Sequence, residues 1–472
     1  MSNQPAPVRF YNTMSRQIED FLPFVPGQAG VYCCGPTVYH DAHLGNLKTN
    51  IFEDTLVRAL RYAGYKVRHV MNITDVGHLV SDGDDGEDKM LVAARREKKK
   101  SEEIAEYYTK RFFDDFDALK LGRPDVVCKA TEHITHMIEL IKRLEAAGFT
   151  YVSGGNVYFD VSKFAAYGQL ARLKLEQLQA GARVGVDDNK RNPQDFALWF
   201  TKSKFENQEM QWPSPWGQGY PGWHIECSAM SMAYLGEQFD IHCGGADLIP
   251  VHHTNEIAQS EAATGKPWVK VWMHSEFMDM NNDKMSKSKG NIALLRDIVA
   301  QGHDPLAFKF LCLGSHYRSH LNFTMEALQH AANGLSKLKA ATINLKAETD
   351  RPSDTLSAAA LKYLNDFQAA VFDDLNCPRA MASVWASLSD NELSPADRLA
   401  LVYSFDRVFN LGATDWQKQE VTIPAEIQTL MDERAAARKA KDWVLSDTLR
   451  NKALEMGYVI EDSAGAQKAR LK

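Results

Sequence analysis

The 472-residue sequence has few cysteines, seven in all and an odd number. That rules out a disulfide scaffold, points to a reducing compartment, and leaves packing, thiolate chemistry or metal binding as their uses. No apolar run approaches the roughly 20 residues that cross a bilayer. The start, MSNQPAPVRFYN, has no apolar stretch behind a basic cap, so no signal peptide is read and a cytoplasmic location without membrane contact is expected. Positive charge is not in excess. The formal net charge of −7 gives no chain-wide nucleic-acid surface, so any such surface has to be local. Internal repeats and long low-complexity tracts are also missing.

What is present is an ordinary globular composition, 44% hydrophobic and 24% charged, in a chain long enough for a large core domain with appended modules. The first third alternates: GVYCC reads as a strand, LKTNIFEDTLVRALRYAG as an amphipathic helix closed by Gly64, and KVRHVMNIT as a second strand. Such alternation predicts a parallel sheet, hence an α/β fold. TEHITHMIELIKRLEAAG predicts a helix capped by Thr131 and stopped by Gly148, and YVSGGNVYFDV a glycine-turned hairpin. The turn- and tryptophan-rich region from about 126 to 219 reads as inserted between two halves of the sheet. Sheet signals resume at FDIHCGGAD and WVKVWMHSEF, with a helical HHTNEIAQSEAATG between them. From about Leu294 the helical period dominates and predicts an antiparallel bundle. VTIP then reads as a linker before a last helical unit, PAEIQTLMDERAAARKAKDW. The organisation expected is a catalytic domain over 1–322, a bundle over 323–420 and a small module over 421–472.

Four groups of residues carry chemistry. In HLGN, His43 and Asn46 fall where a loop becomes a helix, so they and the free helix amides suit a phosphate, with Gly45 permitting close approach; a simple cap and turn is the alternative. KMSKS, residues 284–288, puts Lys284 and Lys287 in one short loop, fixed cations suited to a transferring phosphoryl group, or else a solvated surface loop. Cys34, Cys227 and the pair His252 and Glu256, four apart on one helix face, offer sulfur, nitrogen and oxygen donors that suit zinc. Against that, a lone cysteine is usually a small buried hydrophobe. Between Arg434 and Lys452, six basic residues (Arg434, Arg438, Lys439, Lys441, Arg450, Lys452) face two acidic ones (Asp442, Asp447), a local balance of +4. Trp443 lies among them as an aromatic able to stack on an unpaired base; an ordinary basic helix with a core tryptophan is the alternative.

Taken in order, the cysteine ahead of HLGN, then GWHIECSAM, IHCGGADLIPVHHTNE and KMSKS resemble cysteinyl-tRNA synthetase, a class I aminoacyl-tRNA synthetase. The likeness runs nearly the whole chain, including GARVGVDDNKRNPQDFALW and SHYRS. It implies a Rossmann-type catalytic domain with an inserted connective region, a helical bundle and an anticodon-binding module that uses Arg438, Lys441 and Trp443. It implies activation of L-cysteine with ATP and magnesium and transfer to tRNA(Cys), by an enzyme expected to be a monomer. The resemblance assigns one zinc ion per chain to Cys34, Cys227, His252 and Glu256. It assigns ATP contacts to His43, Gly45, Asn46, Asp247 and Lys287, and pocket positions to Thr37, Trp223 and His242. HLGN stands for the family's HIGH, with a neutral amide in place of the second histidine. His253 is expected at the helix surface or beside adenosine.

Three departures stand out. The acidic stretch Asp82 to Asp88 replaces a shorter pair, Cys243 stands where glycine is usual, and the end AGAQKARLK lacks the family's tryptophan-arginine. Two rival readings remain at this stage: a mycothiol-type cysteine ligase acting on an amino sugar, against which the module after Pro424 counts, and a non-catalytic RNA-binding paralogue.

Overall fold

The computed structural model describes residues 5–77, 89–172, 189–202, 210–281, 283–284, 293–418, 424–463 and 466–471. It divides into two compact units, Met1–Thr414 and Asp415–Lys472. No described helix is long and apolar enough to cross a membrane.

The larger unit is built on five parallel strands, β1 (Gln28–Cys33), β2 (Lys66–Ile73), β3 (Val126–Lys129), β4 (Phe239–Gly245) and β5 (Val269–Ser275), in the order β5-β4-β1-β2-β3. All four pairings are parallel. Direction along the sheet reverses between β1 and β4, so their carboxyl ends open the crevice where ligands of such sheets collect. Val126–Lys129 is thus the edge strand of the main sheet, and the insert begins after it, later than the sequence reading put it. Its short apolar run gives no sign of which sheet it joins. The insert carries its own four-stranded antiparallel sheet, Thr150–Ser153, Asn156–Phe159, Phe196–Phe200 and Tyr220–Pro221.

Helix α1 (Leu44–Ala63) follows β1 and ends at Gly64, in the left-handed region with φ 102°, as a helix-closing glycine should. Thr131 is not a helix cap. Residues Ala130–His133 form a short 3-10 turn, the helix runs from Ile134 to Ala146, and the Thr131 hydroxyl donates to Asp75 at 2.7 Å. A buried carboxylate from the end of β2 has taken the group that would have capped.

Two further helices carry the site, α2 (Trp223–Leu235) and α3 (Thr254–Thr264), the latter entered through a π-helical turn, Ile249–His253. They pack closely through small polar groups: Ser228 and Ser260 hydroxyls lie 2.8 Å apart, and the Gln259 amide donates to Ser228 and to the His224 carbonyl. After β5 come a parallel pair of short strands, Met278–Met280 and Leu321–Phe323, and the antiparallel Asp283–Lys284. A bundle of α4 (Met325–Glu348), α5 (Ala358–Val371), α6 (Cys377–Ser389) and α7 (Pro395–Phe409) completes the unit.

The smaller unit pairs α8 (Ala425–Lys439) with α9 (Trp443–Glu455) and an antiparallel hairpin, Tyr458–Ser463 with Ala466–Leu471. Its core is Ile427, Leu430, Met431, Leu449, Ala453 and Ile460. The helical unit read over 424–443 is α8 and the turn that follows it, where Lys441 is left-handed at φ 63° and Asp442 caps α9.

Candidate functional site

A cleft of about 460 Å³ opens at the carboxyl ends of β1 and β4, a size suited to a small-molecule ligand. Cys34, Thr37, His43, Gly45, Asn46, Trp223, Cys227, Asp247 and His252 all line it.

At the metal end, the ligand atoms of Cys34, Cys227, His252 and Glu256 lie within 4.8 Å of one another. Cys34 leaves the end of β1. Trp223 and Cys227 are four apart on α2 and so share a face, as do His252 and Glu256 at the entry to α3. The Cys34 sulfur is 4.0 Å from that of Cys227 and 3.9 Å from Glu256 Oε1, close to the edge lengths of about 3.3–3.8 Å that tetrahedral zinc bonds of about 2.0–2.3 Å imply. His252 Nε2 and Glu256 Oε1, at 2.5 Å, form a direct ion pair that has to open by just under 1 Å to admit a metal. The donor set and its spacing therefore fit zinc. His252 is aimed by its other nitrogen, 3.0 Å from His224 Nδ1, and by Trp223, whose ring centroid is 4.2 Å away. Such outer partners orient metal-ligating imidazoles.

Electrostatics follow from burial and pairing. Burial alone would raise the Glu256 carboxyl, but the charges and hydrogen bonds of His252 and His242 bring it down to about 2. Burial opposes charge on His252 as well, and the Glu256 carboxylate overrides it, lifting the imidazole to about 10. Cys34 is raised by burial and by its contact with Cys227, while that same contact lowers Cys227.

Two histidines lie deeper than the cleft wall. His242 is fully buried behind the lining, and its Nε2 contacts Glu256 Oε2 at 2.7 Å. His253 is fully buried rather than on the helix surface. Its Nε2 lies 3.4 Å from the Cys34 sulfur and its Nδ1 2.8 Å from His274. The π-helical turn rotates successive side chains in a way that 3.6-residue spacing does not foresee.

At the other end, His43 and Asn46 cap α1 reciprocally: the Asn46 amide N–H donates to His43 Nδ1 at 3.2 Å, and the Asn46 side-chain oxygen accepts from the His43 N–H at 3.3 Å. A neutral His43 then carries its proton on Nε2, and the Asn46 side chain is left with its NH2 as donor. Both are donors suited to an anion at the helix N-terminus. Asp247 is exposed in a 3-10 turn just after β4. Lys284 lies in the short strand before the loop, and Lys287 and the acidic stretch fall outside the described residues.

Other cleft residues escaped the sequence reading. Asn72 and Thr74, at the end of β2, line the cleft; the Asn72 oxygen accepts from the Gly35 N–H at 2.8 Å and Thr74 donates to Glu226. Their signal was polar residues at the carboxyl end of a parallel strand. Gly35 is required there, since a Cβ would sit 1.7 Å from the Asn72 carbonyl oxygen. Cys33 is fully buried beside Cys243, on the core side as strand alternation predicts.

In the smaller unit Trp443 is 56% exposed, with the Arg438 guanidinium 5.6 Å from its ring. Arg434, counted above with the surface charges, is instead buried and paired through both terminal nitrogens with Asp462 at 2.9 and 3.1 Å. Its charge supports the module and is not offered to a ligand.

Comparison with known proteins agrees with this geometry. Residues 20–333 match the family of class I (C) tRNA synthetase catalytic domains, and residues 421–470 match the cysteinyl-tRNA ligase anticodon binding domain. The chain is 49% identical to a cysteine--tRNA ligase of Treponema denticola, over 97% of this chain and 98% of that one. It is 46% identical to cysteine--tRNA ligase 1 of Burkholderia lata, over 98% and 96%. Among solved structures, a methionyl-tRNA synthetase of Mycobacterium tuberculosis in complex with methionyl-adenylate shares the fold at TM-score 0.55 and 16% identity, over 81% of this chain and 88% of that one. A LeuRS of Agrobacterium radiobacter K84 does so at TM-score 0.59 and 11% identity, over 82% and 84%. The chain belongs to the cysteine--tRNA ligases of the class I tRNA synthetase family.

Proposed function

We propose that the chain activates L-cysteine with ATP to cysteinyl-adenylate and transfers it to the 3′ end of tRNA(Cys). The single observation that carries the reading is the cleft itself, with a sulfur-rich donor cluster at one end and a helix N-terminus capped by His43 and Asn46 at the other. That layout suits an amino acid's thiol at one end and an ATP phosphate at the other.

A zinc ion held by Cys34, Cys227, His252 and Glu256 would supply a Lewis-acid contact that favours a thiol over a hydroxyl. Trp223 and Thr37 wall the amino-acid side. Trp223 also keeps His252 in place, and His242 holds Glu256. At the nucleotide end His43 Nε2, the Asn46 NH2 and the first amides of α1 donate to phosphate, with Gly45 allowing the approach. Asp247 is placed for the ribose hydroxyls, and Lys284 and Lys287 of KMSKS for charge developing on the phosphates, with magnesium accompanying ATP. The cysteine carboxylate then attacks the α-phosphorus and pyrophosphate leaves; the tRNA terminal hydroxyl next attacks the adenylate carbonyl and takes the aminoacyl group, releasing AMP. Positioning and charge carry the rate, and no protein nucleophile is used. Arg438, Lys441 and Trp443 are proposed to contact the tRNA.

Cysteine-dependent exchange of pyrophosphate into ATP, followed by charging of tRNA(Cys), tests the reading. Exchange with charging is expected. Exchange without charging would instead favour ligation of cysteine to an amine acceptor such as an amino sugar, and absence of exchange would end the enzymatic reading.

A further inference from the structure

SHYRS, Ser315 to Ser319, has no role so far, and neither does Lys48, two residues beyond Asn46 on α1. The structure joins them. Lys48 is 4% exposed, and its ammonium donates to the Glu276 carbonyl at 2.6 Å, the Ser275 hydroxyl at 3.1 Å and the Tyr317 carbonyl at 3.3 Å. Ser275 and Glu276 are cleft wall at the end of β5. Tyr317 also stacks on Phe52 of α1 at 4.4 Å and 10°, and its carbonyl accepts from the Glu276 N–H at 2.9 Å.

The far side of Tyr317 is held by one carboxylate of the helical bundle. Asp374, 2% exposed, accepts from the Tyr317 hydroxyl at 2.6 Å, the Tyr11 N–H at 2.9 Å, and Arg318 Nε and Nη2 at 2.8 and 2.5 Å. It sits between α5 and α6 in a costly backbone: Asp374 and Leu375 are both left-handed, at φ 58° and 52°. Two consecutive non-glycine residues in that region persist only where surrounding contacts over-determine them. The fastened segment runs directly into Leu321–Phe323, which pairs in parallel with Met278–Met280, and that strand pairs with Asp283–Lys284 at the start of KMSKS.

We infer that Asp374 and Lys48 are positioning residues for ATP, fastening the bundle, the HLGN helix and the strand entering KMSKS into one frame. The inference rests on the proposed function, since the frame has meaning only if both segments serve the nucleotide. It is specific because neither Lys48 nor Asp374 contacts the metal cluster, whose ligands come from the end of β1, from α2 and from the entry to α3. Loosening the frame therefore disturbs the ATP end and spares the cysteine end. A misplacement of about 1 Å at such a site costs on the order of 100-fold.

The test is cysteine-dependent pyrophosphate exchange by Asp374→Asn, Tyr317→Phe, Lys48→Met and Lys48→Arg, with zinc content measured on each. Asp374→Asn and Lys48→Met are expected to raise the KM for ATP and lower kcat by about 10- to 100-fold. The KM for cysteine and one zinc per chain should be unchanged, and Lys48→Arg should recover most of the loss. Tyr317→Phe removes a single hydroxyl and should show the same pattern more weakly, which keeps the test open if Asp374→Asn fails to fold. Equal changes in both KM values, loss of zinc, or parent-like kinetics in Lys48→Met would overturn the inference. A parent protein without exchange would sink the function itself, a separate outcome.

Discussion

Glu256→Gln removes the one charge around which the buried histidines are arranged. Glu256 is fully buried and touches His252 at 2.5 Å and His242 at 2.7 Å. A fall of its carboxyl from an ordinary 4.5 to about 2 is worth about 3 kcal/mol at about 1.4 kcal/mol per pH unit. The rise of His252 from 6.5 to about 10 gives about 5 kcal/mol by the same conversion. These are two ends of one interaction, so the metal-free variant should lose about 3–5 kcal/mol once, not twice. The sign with pH is fixed. The acid end contributes above its unfolded value and is lost as pH falls through about 2. The imidazole end contributes fully below 6.5 and is lost as pH rises toward about 10. The gap between parent and variant should therefore be widest near pH 5–6 and narrow by about 1.4 kcal/mol per unit above 6.5. Urea unfolding of both metal-free proteins across pH 5 to 9 reads this directly. Parallel stability curves with no gap would refute a charged pair at the cluster, and unchanged zinc content in Glu256→Gln would refute its place as a ligand.

Three other substitutions probe separate links. Trp443→Ala should leave the fold intact and raise the KM for tRNA by about 10- to 100-fold, the worth of one stacked base at about 1–3 kcal/mol; unchanged charging kinetics would remove Trp443 from the interface. Arg434→Ala should destabilise the smaller unit by about 2 kcal/mol through loss of its bidentate partner and lower charging without touching pyrophosphate exchange, whereas a purely surface role would leave thermal unfolding unmoved. Gly35→Ala forces a carbon onto the Asn72 carbonyl and should abolish zinc binding through displacement of Cys34; parent metal content in that variant would contradict the close approach.

Local pattern made much of this legible. Period-2 and 3.6 runs gave β1, α1, β2 and the bundle helices, because each is amphipathic or apolar over its whole length and ends at a recognisable stop such as Gly64. Thr131 misled because hydroxyls that cap helices also serve distant carboxylates, and Asp75 is 56 residues away in sequence. The edge position of β3 was hidden for the same reason, since strand order is set by long-range pairing. Of the site, the grouping of Cys34, Cys227, His252 and Glu256 was readable from the order of the motifs, and the structure brings their donor atoms together; HLGN falls at the N-terminus of α1 as read, while Lys287 lies outside the described residues. The depth of His242 and His253 was not readable, because burial depends on the π-helical turn and on what packs above it. Arg434 shows the converse: charge on a helix reads as surface until its partner, Asp462 on the following hairpin, is known.

The account turns on the cluster of Cys34, Cys227, His252 and Glu256 meeting the substrate's thiol. The most direct measurement replaces zinc with cobalt(II) and follows its sulfur-to-metal absorption while cysteine or serine is added. Two protein thiolates should give a resting band that grows by about half with cysteine, as a third thiolate joins, and stays unchanged with serine. No growth with cysteine, or equal change with both amino acids, would contradict the account.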